Sequence, residues 1–180
     1  MSALHALSAA ELGAAYRQRT LSPVEVTQAV IEHIAAWEPA LCATYLFRPE
    51  HALEQARASE ARWARGAPQS ALDGVPLTLK DNIATAGDPM PLGTAAVGEA
   101  PMAADAPAAA RLREAGAVLV TKTTMPDYGM LSSGLSSIHA TARNPWDLSR
   151  TPGGSSAGAG SAAAAGYGPL HLGTDIGGSI

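Results

Sequence analysis

Two short apolar runs with β-branched members, Val75–Leu79 and Ala117–Thr121, stand on either side of a segment at residues 105–115 that reads as a helix and that Gly116 stops. A strand, a helix and a second strand in that order call for a sheet with helices laid over its faces, because each apolar face must be covered by another element. In such sheets the functional groups gather at strand ends, and the first run delivers Lys80 at its end.

The flanking segments fit the same plan. Ser8 is placed to cap a helix over residues 9–18, and Ser22-Pro23-Val24-Glu25 reads as a capping box with proline at the first helical position. In the helix that follows, Val26, Val30 and Ile34 recur every four residues with Ile31 beside them, the stripe of an amphipathic helix lying on something larger. Leu41–Phe47 is apolar enough for a strand, and Pro49–Arg65 reads as a third helix closed by Gly66. Residues 1–66 are therefore expected to be a helical N-terminal scaffold and residues 67–180 the functional core. Residues 84–104 and 123–152 carry most of the Pro, Gly, Ser and Asp and read as long loops, which in a compact domain point to function. After Gly154 the composition turns to Ser, Ala and Gly, as expected of a helix of small residues packed tightly on the sheet, and Leu170–Thr174 reads as a strand leading into a Gly177-Gly178-Ser179 turn.

Two serines are framed by glycines, in Gly153-Gly154-Ser155-Ser156 and in Gly173-Thr174-Asp175-Ile176-Gly177-Gly178-Ser179. Glycines crowd a serine where backbone must approach a reacting atom or adopt angles that a Cβ forbids. A serine hydroxyl is a poor nucleophile at neutral pH and needs a base. Taken singly, each feature has a plainer reading: a lysine at a strand end is usually a solvated charge, a serine before Ala and Gly is usually a helix cap, and a glycine pair is usually a turn.

Their joint order is more specific. Gly-Gly-Ser-Ser, then Gly-Thr-Asp-Ile-Gly-Gly-Ser-Ile, preceded by Gly74-Val75-Pro76-Leu77-Thr78-Leu79-Lys80-Asp81-Asn82, resembles the amidase signature family of serine hydrolases. The intervals from Lys80 to Ser155 and from Ser155 to Ser179 resemble the family's, and the phrases Glu114–Ala117, Thr121–Thr123 and Arg143–Trp146 fall in the right order between them. The match runs from about Leu72 to the last residue. The resemblance implies an α/β fold, a central mixed β-sheet covered by helices on both faces, present here as an N-terminal part because family members are considerably longer. It also implies a catalytic triad in which Ser179 is the nucleophile, Ser155, in a cis peptide with Gly154, relays the proton, and a neutral Lys80 is the base. Ile176, Gly177 and Gly178 are then expected to supply oxyanion donors, because two glycines allow successive N–H groups to converge, and a side chain at either glycine is expected to obstruct that nest. Ser156 is expected to cap the following helix or to help bond the triad, and Asp175 to hold the loop through side-chain to backbone bonds. Asp81 need not pair with Lys80, since neighbours on a strand point to opposite faces.

Departures from the family are Ala157 and Ala140, where glycine is frequent, and neither removes a reacting atom. Within the family, amide hydrolases acting alone and the glutamine-hydrolysing A subunit of the tRNA amidotransferase are both in play. Ala157 and Asp127-Tyr128-Gly129-Met130 lean toward the former. A different class remains open as well, an inactive piece that needs the rest of a chain or a partner, and a homodimer is left open.

The bulk properties narrow the partners. A chain of 180 residues with 47 % hydrophobic and 16 % charged content can build a core, and a net charge of −4 with 12 scattered Lys and Arg gives no electrostatic reason for direct nucleic-acid binding. A small amide substrate fits better. No segment approaches the apolar length that spans a bilayer and the N-terminus lacks a leader pattern, so no membrane association and a cytoplasmic location are expected. Cys42 is the only cysteine and no His-x-x-x-His spacing occurs, so neither a disulfide, a metal site nor a cofactor is expected. His139 and His171 raise a Ser-His-Asp triad, but Ser179 lacks the Gly-x-Ser-x-Gly frame; His139 reads as a loop residue near the site entrance and His171 as a strand-end residue. Gly158–Ala163 fits a dinucleotide-binding pattern in the wrong context, since no apolar strand precedes it.

Overall fold

The structure, a computed structural model, describes residues 3–180. Four strands form one sheet, β1 (Thr44–Phe47), β2 (Pro76–Lys80), β3 (Val118–Thr123) and β4 (Leu170–Leu172), in the order β1-β3-β2-β4. β2 runs parallel to both β3 and β4, whereas β1 is antiparallel to β3. The sheet is therefore mixed, with β2, the strand that ends at Lys80, in its interior. Strand and helix order match the α/β plan read from the sequence.

Five α-helices surround it: α1 (Ala9–Gln18), α2 (Pro23–Leu41), α3 (Pro49–Ala64), α4 (Pro107–Glu114) and α5 (Ala157–Ala165). Both expected caps form as full capping boxes, Ser8 with Glu11 and Ser22 with Glu25, each satisfying orphan N–H groups at the helix start. The α2 stripe is buried as its spacing requires. Val30, Ile31 and Ile34 pack with Leu41, Ala52 and Ala56 against Val118 and Val120 of β3, while Val26 turns to Leu12, Tyr16, Trp63 and Val75. Each fully buried aliphatic side chain of this kind contributes about 1.5–3 kcal/mol of transfer free energy.

On the other side of the sheet, Leu77 and Leu79 pack with Ile83, Ala109 and Ala117 beneath α4. The division at residue 66 remains a proposal about organisation: β1, from the first part, pairs with β3 from the second, and α2 and α3 share one apolar cluster with β3.

α5 lies on the face where Lys80 emerges. Ala157, Ala159, Ser161 and Ala162 are buried, and the Gly158 N–H donates to the Thr124 carbonyl just past β3. Side chains this small let the helix axis come close to the sheet, which brings residues 155 and 156, at its start, up to the end of β2. Among the described residues no helix is long and apolar enough to cross a membrane.

Candidate active site

Lys80 ends β2 with its side chain inside the protein, fully buried, which is unusual for lysine and demands partners. Its Nζ lies 2.9 Å from Ser155 Oγ, 3.0 Å from Ser156 Oγ and 3.2 Å from the Thr174 carbonyl oxygen. Ser155 Oγ in turn lies 3.0 Å from Ser179 Oγ. The Gly154–Ser155 peptide is cis. Three side chains remote in sequence thus meet in one line of contacts that runs from the buried amine to a partly exposed hydroxyl.

Among the described residues no carboxylate lies within salt-bridge distance, 4.0 Å, of the Lys80 amine. Burial pushes it down to about 8, while Asp175 and then Asp81 pull the other way. The ion pair that Asp81 was free to avoid is absent for the reason given by strand alternation: its carboxylate turns away and accepts from the Leu92 and Gly93 N–H groups at 3.1 and 2.7 Å.

Ser156 resolves to one of its two expected roles. Its side chain makes no helix cap. Instead Oγ accepts from Lys80 and from the Thr174 N–H at 3.3 Å and donates to the Thr174 carbonyl at 3.1 Å, while its own N–H holds the Ser179 carbonyl at 3.0 Å. The hydroxyl is fully used by the amine and the loop, leaving nothing for the helix N–H groups. Gly173 makes this approach feasible: a Cβ there would stand 2.6 Å from Ser156 Oγ.

Asp175 bonds the backbone of its own loop. Its carboxylate accepts from the Gly178 and Ile180 N–H groups, and these bonds, with further ones from Ser179 and Gly177, keep its carboxyl below the usual range. Gly178, expected as an oxyanion donor, is one of these partners. Its N–H serves the chain's own carboxylate, because an aspartate three residues upstream is the nearest anion to a converging set of amides. A Cβ at Gly177 would meet none of the chain's own described atoms within 4 Å, and Ile176 is wholly exposed.

The histidines fall elsewhere than expected. His139 is not at the entrance; its ring packs at a tilt against Tyr45 with centroids 4.8 Å apart and its Nε2 lies 3.6 Å from Asp81, on the opposite side of β2 from the serines. His171 sits within β4 and lines the cleft beside Ser179. That cleft, of about 430 Å³, is also lined by Ser156, Gly173, Gly178 and Ala159.

Sequence reasoning passed over Thr174 and Asn82. The Thr174 carbonyl receives both Lys80 and Ser156, and the Thr174 hydroxyl bonds the Asn82 side chain at 3.0 Å, tying the two glycine-rich phrases together. Their signal was position alone, Thr174 second in its glycine-rich phrase and Asn82 last in the other. No cluster of three or more metal-ligating side chains occurs among the described residues.

The sequence profile described as Amidase matches residues 25–180. The chain belongs to the Amidase family. Curated relatives include the A subunit of the glutamyl-tRNA(Gln) amidotransferase of Acidothermus cellulolyticus, 44 % identical over 100 % of this chain and 36 % of the relative, and that of Symbiobacterium thermophilum, 42 % identical over 97 % of this chain and 36 % of the relative. The chain thus spans little more than a third of the length of the curated relatives it matches. Among solved structures, a crystal structure of an amidase superposes with a TM-score of 0.89 at 34 % identity, covering 97 % of this chain and 40 % of the other. The peptide amidase of Stenotrophomonas maltophilia gives 0.82 at 32 %, covering 89 % and 34 %. The fold is therefore the N-terminal part of the amidase signature architecture.

Proposed function

We propose that this chain carries the acyl-transfer machinery of an amide-cleaving enzyme, in which Ser179 attacks the carboxamide carbonyl, Ser155 relays the proton and Lys80 accepts it. One observation carries the reading, the unbroken run of contacts from Lys80 Nζ through Ser155 Oγ to Ser179 Oγ at 2.9 and 3.0 Å.

The partners of Lys80 suit a neutral amine. It has two N–H groups to give, which the Thr174 carbonyl and Ser156 Oγ accept, and one lone pair, which is left for the Ser155 hydroxyl. As Ser179 attacks, its proton passes to Ser155 Oγ while that hydroxyl's proton passes to Nζ, and the tetrahedral intermediate forms. Return of the proton along the same path to the leaving nitrogen breaks the C–N bond and leaves an acyl-Ser179 ester. Water then repeats the sequence in place of Ser179 and frees the carboxylic acid. A base that titrates near 8 is matched to this work at physiological pH.

A serine-directed fluorophosphonate tests the reading. Labelling is expected at Ser179 and is expected to vanish in Ser179→Ala; undiminished labelling in that variant would remove the assignment. The substrate is proposed to be a small amide, with no direct nucleic-acid contact by this part and a cytoplasmic setting.

A second reading has its own support. The cited curated relatives are amidotransferase A subunits at 42 and 44 % identity, which favours glutamine as the amide more than Ala157 and residues 127–130 favour a hydrolase acting alone. Ammonia release from glutamine, with none from simple aliphatic amides, would select this second reading.

A further inference from the structure

We propose that His171 is a positioning residue of this site, a neutral imidazole that ties the strand bearing the base to the strand leading to the nucleophile and lets go when acid protonates it. The inference rests on the reading of Lys80 as base and Ser179 as nucleophile.

His171 is paired with Thr78 across the parallel β2–β4 ladder. Its Nε2–H donates to the Gly168 carbonyl at 2.9 Å, since a carbonyl can only accept. That fixes the proton on Nε2, and Nδ1 therefore accepts from the Thr78 hydroxyl at 3.0 Å. Thr78 is fully buried, and the imidazole is its one side-chain partner among the described residues. Thr78 lies two residues before Lys80 on one face of β2, and His171 lies three before Thr174, whose carbonyl holds Lys80 and Ser156. The side-chain bond between strands thus sits one rung below the triad and sets how far the two strands slide past each other.

Protonation breaks this arrangement from two sides. A charge arrives on a half-buried imidazole, and a new Nδ1–H faces a buried hydroxyl that must turn round to accept it, stranding its own proton. Burial already holds the imidazole below its ordinary value, with the Gly168 carbonyl pulling upward. The charged or titratable groups around it are few. β2 offers Lys80 beyond Thr78, the nucleophile loop offers Asp175, and α5, Ala157–Ala165, carries no titratable side chain.

The test is the pH dependence of fluorophosphonate labelling at Ser179 in the intact protein. Loss of neutral Lys80 alone gives a log rate that falls with a slope of about one below pH 8; with His171 the slope steepens toward about two at a break below pH 6.5. His171→Leu should remove the break and keep the slope of one. Thr78→Val removes the donor to Nδ1, eases protonation and should move the break upward, toward the ordinary histidine value. If neither variant folds, the wild-type His171 Cε1 proton, followed by NMR, should titrate at the break while circular dichroism stays constant. A slope of one down to pH 5, or a break that Thr78→Val leaves in place, overturns the role of His171 alone. No labelling, or labelling indifferent to pH around 8, overturns the Lys80 and Ser179 reading and this inference with it.

Discussion

Lys80 and Lys122 are neighbours in one sheet, and they differ in what their amines meet. The register pairs Leu79 with Lys122 and Lys80 with Thr123, so the two lysines emerge on opposite faces. Both are essentially fully buried, and burial pushes both down to about 8. Lys122 Nζ donates to the Ile83 carbonyl at 2.5 Å and to Thr85 Oγ1 at 3.4 Å, beneath the 81–88 segment, and no serine lies beyond. Lys80 meets a hydroxyl that meets a second hydroxyl. Desolvation makes an amine ready to accept a proton, but only a hydrogen-bonded path to a reacting atom turns that readiness into chemistry.

The largest test of this contrast is to remove each amine. Lys80→Met is expected to slow fluorophosphonate labelling at Ser179 by about 10²–10⁴-fold, the usual worth of a general base. Lys122→Met is expected to leave labelling within about tenfold but to lower stability to urea by about 1–3 kcal/mol, because the Ile83 carbonyl loses its buried donor. Equal effects of both on labelling at unchanged stability would dissolve the distinction.

The pH profile comes next in size. The proposed role of Lys80 needs a neutral amine, so labelling should rise about tenfold per pH unit up to pH 8 and then level. On stability the two lysines act alike. Their folded values lie below the ordinary 10.5, so the unfolded chain binds protons that the folded one does not. Their contribution is complete above 10.5 and is lost as pH falls from there to about 8. Lys122→Met should flatten the stability profile in that window without moving the labelling limb.

Smaller effects follow from Ser156 and from the glycines. Ser156→Ala removes one acceptor of Lys80 and should slow labelling by about tenfold, the worth of one hydrogen bond to a reacting group, with the pH limb retained. Gly173→Ala pushes on Ser156 Oγ and should act in the same direction, whereas Gly177→Ala meets open space and should change labelling by less than about twofold. A large loss in Gly177→Ala, measured by the same labelling rate, would favour the oxyanion role expected of this residue.

Much of the fold was legible because its signals are local. The capping boxes at Ser8 and Ser22, the Val26-Val30-Ile34 stripe and the apolar runs before Lys80 and Thr123 each satisfy backbone or bury surface within a few residues, and a sequence displays such needs directly. Asp175's hold on its own loop was legible for the same reason. Where the reading left two roles open or placed a residue wrongly, the deciding partner lay far along the chain. Nothing near Ser156 announces that its hydroxyl abandons the helix for Lys80, and nothing near His139 announces Asp81.

By itself the sequence determined the order of strands and helices, the glycine-framed serines and, through them, the family. Only the tertiary structure decided that Lys80 is buried without a salt bridge, that Ser155 stands between it and Ser179, that Ser156 is part of the amine's surroundings and that the Gly178 amide already has an anion. The physical reason is range. Capping, periodicity and turn chemistry act between neighbours in the chain, whereas desolvation and a hydrogen-bonded relay exist only once β2, β4 and α5 have packed together.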